Sequence, residues 1–169
     1  MKGIFFDLGG TLFSYRNVAK ETIPILLQAI DRLDLATGLD DVKRAHNQAM
    51  SETTIAYAEK SYYLHSDFFR DVFYQFVKNV GGCSDKAVCT WYLETHRMAM
   101  IDCLELKDDC IETLMNLKAQ GFYLSIVSNI DEDMLHPLVQ SAGLDAYLCL
   151  LYTSPSPREA TQSRMQSSA

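Results

Sequence analysis

The most constraining feature of this chain is an apolar run that breaks at a single acid within its first twelve residues. Ile4-Phe5-Phe6 ends at Asp7, and a Gly9-Gly10 pair with Thr11 behind it follows at once. That order predicts a buried β-strand delivering one carboxylate to the rim of a sheet. In open α/β sheets the ligand crevice lies just beyond the carboxyl ends of the strands. Glycines there let the backbone turn sharply and approach a ligand closely. A strand capped by a solvated Asp and an ordinary tight turn reads the same way on these residues alone.

After Leu12 the pattern turns helical for about ninety residues, with amphipathic segments predicted over 18–34, 40–60, 66–79 and 84–100. The third repeats Phe68, Phe69, Val72, Phe73, Phe76 and Val77 at three- and four-residue spacing. Ser66 or Asp67 is its expected N-cap, Gly81-Gly82 its stop, and Ser84-Asp85 opens the fourth segment. Nothing in this block alternates with period two, so it is expected to be all-helical. Strand and helix signals then return. A helix over 108–119 sets Cys110, Leu114 and Leu117 on one face and ends at Gly121. A buried strand, Phe122 to Val127, stops at Ser128-Asn129. A helix over 131–141 gathers acids in its first turn, and Pro137 predicts that it begins near Met134 or bends. Gly143 stops it, and a third strand is expected from Ala146 to Tyr152. The right-handed crossover rule lays the strands ending at Asp7 and Ser128 parallel, which converges a carboxylate and a hydroxyl on one rim.

Composition narrows the partners. A net charge of −7 over 169 residues excludes a broad electrostatic footprint for nucleic acid or an anionic membrane, but not a small anionic substrate. Lys2 is followed by too few apolar residues for a signal-peptide core, no later run has membrane-spanning length, and a cytoplasmic location is expected. Five cysteines without a CxxC pair are expected to be reduced and mostly buried. His46, His65, His96 and His136 lack ligand spacing and read as surface or satisfied histidines. The Tyr62-Tyr63 pair falls between helices, either as core of the helical block or facing the crevice. Residues 153–169, rich in Ser, Pro and Gln, read as a disordered tail.

At these residues the chain resembles the haloacid-dehalogenase (HAD) superfamily of hydrolases. Ile4 to Leu12 matches its first motif and Leu124 to Asn129 its second, with a helical insert between them in the place of a C1 cap. The resemblance implies an α/β fold: a Rossmann-like parallel-sheet core, incomplete here, from residues 1–14 and 104–152, with an inserted all-α cap over 15–103. It implies a phosphatase-type hydrolase of a small phosphorylated metabolite, working through an aspartyl intermediate on Asp7. Mg²⁺ would be held by Asp7 and the backbone carbonyl of Gly9. Thr11 would orient the loop, and Gly10, Ser128 and Asn129 would meet the substrate. The departures are specific. Gly9 stands where phosphatases of the superfamily usually carry a second, proton-transferring Asp. Dehalogenases, which need no metal, tend to have an aromatic there. After Asn129 neither the family's lysine nor its acidic pair has a counterpart. The string from Leu148 to Arg158 resembles translated adapter sequence, so the native sequence is expected to depart near Tyr147, leaving 153–169 non-native and this polypeptide inactive. A metal-independent 2-haloacid dehalogenase and a non-catalytic phospho-ligand or protein-binding relative are the alternatives.

Overall fold

The computed structural model describes residues 2–148 and the backbone of 150–153. The expected tail beyond Thr153 lies outside the described residues. The chain divides into two compact units: residues up to Tyr15 with those from Leu104 onward, and Arg16–Cys103 between them.

The first unit is α/β. Strand β1 (Gly3–Phe6) pairs in parallel with β4 (Tyr123–Ser128), and β4 with β5 (Leu150–Thr153), giving the order β1-β4-β5. Helix α5 (Cys110–Ala119) precedes β4 and α6 (Glu132–Ser141) follows it. Leu8, Leu114, Leu124, Ile126, Leu135, Leu138 and Leu144 are fully buried and form the apolar interior of this unit. A two-residue ribbon, β2 (Phe13–Ser14) antiparallel to β3 (Glu105–Leu106), adds a second small sheet that sequence periodicity does not reveal.

Three expectations for this unit are corrected. Strand β1 is not buried: Phe5 is 67% exposed, because β1 is an edge of the three-stranded sheet and one of its faces meets no cover among the described residues. Helix α6 does not begin near Met134. It starts at Glu132 and carries Pro137 inside, as α1 carries Pro24. Proline there removes one ladder hydrogen bond, and buried Met134, Leu135, Leu138 and Val139 hold the helix against that loss. The third strand begins at Leu150, not Ala146. Gly143 takes a left-handed φ of 65°, and a 3₁₀ turn, Leu144–Ala146, buries Leu144 first.

The second unit is all-helical: α1 (Val18–Arg32), α2 (Leu39–Tyr57), α3 (His65–Asn79) and α4 (Lys86–Cys103). Its core joins Leu26, Ala29, Val42, Ala49, Val72, Phe73, Phe76 and Tyr92, with Phe73 stacked on Tyr92 at 4.2 Å between centroids. Helix α3 begins one residue before the expected caps: Leu64 is its N-cap in extended backbone, and neither Ser66 nor Asp67 holds that place. Asp85 does cap α4's start, its Oδ1 accepting from the Val88 N–H at 2.9 Å. Tyr63 packs edge-on against Tyr57 at 4.9 Å and lies 6.0 Å from Phe68, so it is core packing within this unit. Of the four cysteines described all are free; Cys89 and Cys110 are buried, Cys103 half-buried and Cys83 exposed. Among the described residues, no helix is long and apolar enough to cross a membrane.

Candidate active site

Strand register brings the two predicted site segments to one rim. Phe6 pairs with Ile126, so Asp7 lies one residue and Ser128 two residues beyond that rung, both at the carboxyl edge of adjacent parallel strands. Asp7 is exposed there, and Ser128 closes β4 with only 5% of its surface exposed.

The loop after Asp7 is built from backbone bonds. The Leu8 carbonyl accepts from the N–H groups of Leu12 (2.9 Å) and Phe13 (3.0 Å), and the Gly10 N–H donates to the Phe13 carbonyl at 2.8 Å. Leu8 is fully buried and anchors the loop, while Gly10 and Thr11 face solvent. The β2–β3 ribbon holds its far end, where the Lys107 N–H donates to the Leu12 carbonyl at 2.9 Å.

The two glycines serve different needs. Gly10 has φ of 79°, a left-handed conformation in which a side chain is strained. Gly9 is required for space. A Cβ placed on it would lie 2.8 Å from the Tyr15 Cζ and closer still to the Tyr15 hydroxyl oxygen. The phenol of Tyr15 therefore occupies the volume that a side chain at residue 9 would take. The sequence pattern does not single out Tyr15, which is 45% exposed. An aromatic residue just past a Gly-Gly loop is the only signal that could have found it.

On the β4 side, the Ile130 N–H donates to Ser128 Oγ at 3.4 Å, turning that hydroxyl toward its own loop. Asn129 is half-buried at the bend, and Asp131 is the N-cap of α6. The segments 8–12 and 128–133 hold no Lys or Arg, while Asp7, Asp131, Glu132 and Asp133 bring carboxylates to the same strand ends. An anionic ligand meets repulsion there unless a cation accompanies it. Among the described residues, no cluster of three or more His, Cys, Asp or Glu is placed to hold a metal.

Comparison with known proteins bears on the same residues. A family profile of haloacid dehalogenase-like hydrolases matches residues 1–160. No curated protein matches the chain in sequence. Among solved structures, it is similar to a predicted phosphoglycolate phosphatase from Haemophilus somnus 129PT (17% identity, TM-score 0.62, 99% of this chain and 71% of that one). It is also similar to the HAD-hydrolase YfnB from Bacillus subtilis bound to magnesium (16%, 0.66, 89% and 62%). A third is the L-2-haloacid dehalogenase from Xanthobacter autotrophicus (20%, 0.59, 90% and 56%). At these identities the likeness is one of fold, and the chain spans between 56% and 71% of those three. The family match over nearly the whole sequence settles membership: this chain belongs to the haloacid dehalogenase-like hydrolases.

Proposed function

We propose that the protein is a phosphatase-type hydrolase of small phosphorylated metabolites, with Asp7 as the nucleophile that forms an aspartyl intermediate. The observation that carries this reading is the common rim: an exposed carboxylate one residue past β1 and the Ser128 hydroxyl at the end of β4. A carboxylate so placed can attack phosphorus and split one hard displacement into two easier ones. Gly10, Ser128 and Asn129 would contact the phosphoryl oxygens, and Thr11 would keep the loop in register. The donor set suits Mg²⁺, which binds through one or two hard oxygens and otherwise keeps water and substrate phosphate. Asp7 and the Gly9 carbonyl would hold it. Bound there, it would offset the repulsion that the acid-rich rim imposes on a phosphate.

Acetyl phosphate tests this directly. With Mg²⁺ present, one phosphoryl group is expected on Asp7; hydroxylamine then expels it as phosphate and leaves a hydroxamate, which mass spectrometry reads on the peptide that contains Asp7. Asp7→Asn is expected to remove the label. Labelling is only the first half-reaction, so it tests the nucleophile even in a polypeptide expected not to turn over, and a folded chain that never labels would end the phosphatase reading.

One observation favours a second reading, attack on carbon as in 2-haloacid dehalogenases. Residue 9 has no carboxylate, and the Tyr15 ring fills its place. A departing halide needs no proton from the protein. Halide release from 2-chloropropionate that persists in EDTA, with no phosphoryl label on Asp7, is the outcome that selects this reading.

A further inference from the structure

We infer that the Tyr15 hydroxyl is the proton-transferring group of this site, acting from the space that residue 9 leaves empty. The inference rests on the phosphatase reading and adds the residue that would make ester cleavage possible.

The chemical need is plain. When a carboxylate displaces an alkoxide from phosphorus, the departing oxygen has to take a proton or leave as a strong base. The loop itself offers little. Gly9 and Gly10 have no side chains, and Leu8 and Leu12 are buried and apolar. Thr11 carries an aliphatic hydroxyl, a far weaker acid than a phenol. The phenol of Tyr15 lies directly on this loop, its oxygen inside the van der Waals reach of any Cβ at residue 9. Residue 9 is two positions from Asp7. The ribbon explains how a residue eight positions beyond Asp7 returns to the loop at residue 9. Phe13 and Ser14 pair with Leu106 and Glu105, and the Gly10 N–H bonds the Phe13 carbonyl, folding the chain back over the loop. The absence of a side chain at residue 9 and the presence of the phenol there are thus one structural fact.

An Asp7 carboxylate oxygen attacks phosphorus and the ester P–O bond breaks. The leaving alkoxide takes the Tyr15 hydroxyl proton, departing as the alcohol and leaving a phenolate. A water oxygen then attacks the aspartyl phosphate, its proton passes to the phenolate, and Asp7 leaves as the free carboxylate with inorganic phosphate as product. Because a phenol is a stronger acid than an aliphatic alcohol, the first transfer runs downhill.

The test separates proton donation from a packing role by the leaving group. Single-turnover labelling of Asp7 is measured on the full chain with two donors. Acetyl phosphate expels a carboxylate that needs no proton, whereas glycerol 3-phosphate expels an alkoxide that does. Tyr15→Phe keeps the ring. It is expected to slow labelling from glycerol 3-phosphate by about 10²-fold or more while leaving acetyl phosphate within a few-fold. Gly9→Asp placed in Tyr15→Ala, where the space is free, is expected to restore the alkyl donor. Equal slowing of both donors, or none, overturns the role of Tyr15 and leaves the Asp7 reading intact. Wild-type protein that labels from neither donor overturns both. Wild type that labels from acetyl phosphate alone overturns the proton-transfer role.

Discussion

The helical unit and the sheet unit use aromatic residues in opposite ways. In the helices, Phe73, Phe76 and Tyr92 are fully buried, and each amphipathic face finds its partner within the same stretch of chain. In the sheet unit, Phe5 is 67% exposed on an edge strand, and Tyr15 lies over a glycine loop. The sheet also pairs β1 with β4, segments more than a hundred residues apart in sequence. Stability comes from side-chain faces that match locally. A site needs something else: a strand edge, bare backbone and room. These two demands are met by different parts of this chain.

The largest expected effect tests the sheet unit's side of that division. Asp7→Asn should reduce aspartyl labelling by about 10⁴-fold or more, while changing unfolding free energy by no more than about 0.5 kcal/mol, since Asp7 is exposed. A large drop in melting temperature would show that the rim acid is also structural. The next effect tests the helical unit. Phe73→Ala removes a ring stacked on Tyr92 at 4.2 Å and is expected to cost about 3–5 kcal/mol in urea denaturation. Amide exchange at Leu124 and Ile126 should be little affected. Equal loss of protection there would mean that the two units unfold as one.

The same contrast decides what the sequence could reveal. The helices are legible because residues such as Phe69, Val72, Phe73 and Phe76 repeat on one face, and β4 because it is a compact apolar run ending at polar residues. The rim shared by Asp7 and Ser128 follows from strand order and handedness. What escapes is set by neighbours, not by period. An apolar run such as Ile4-Phe5-Phe6 does not say how many strands flank it, so the exposure of Phe5 was hidden. The stretch from Ala146 to Tyr152 is apolar throughout, which conceals a 3₁₀ turn before the strand. Strands of two residues, as in β2 and β3, have no period at all. Without that ribbon, nothing ties Tyr15 to Gly9.

A smaller effect comes from pH and again belongs to the helices. His96 is 4% exposed, and burial, reinforced by the charges of His46 and His65, pulls its pKa from 6.5 down to about 4. The Thr22 hydroxyl donates to the Val18 carbonyl at 2.9 Å and faces His96 Nε2 at 3.5 Å. The unfolded chain therefore binds a proton between pH 6.5 and 4 that the folded unit resists. Stability from this group is complete above pH 6.5, falls as pH drops toward 4, and levels off below, a loss of about 3 kcal/mol in all. His96→Gln, which cannot titrate, should flatten that part of the denaturation profile. An unchanged slope would place the proton uptake elsewhere.

A polar contact in the helical unit carries the least energy of these. The Tyr57 hydroxyl donates to Asp71 Oδ2 at 2.5 Å, and burial together with Asp71 holds the phenol's pKa above its usual value. Tyr57→Phe keeps the ring, its edge-on contacts with Tyr63 and Phe68, and the Lys60 ammonium 3.3 Å above it. Only the hydroxyl is lost. Asp71 is 38% exposed and keeps Arg70 at 3.4 Å, so water and guanidinium replace the missing donor. The cost should be about 1 kcal/mol, below the range for a hydrogen bond to a fully buried charge. Asp71→Asn in the same background should then add little if the two groups act as a pair, and a double-mutant cycle measures that coupling. Tyr15→Phe in the sheet unit makes the reverse case. It removes the same atom, and its effect is expected in the labelling rate, with the melting temperature unmoved.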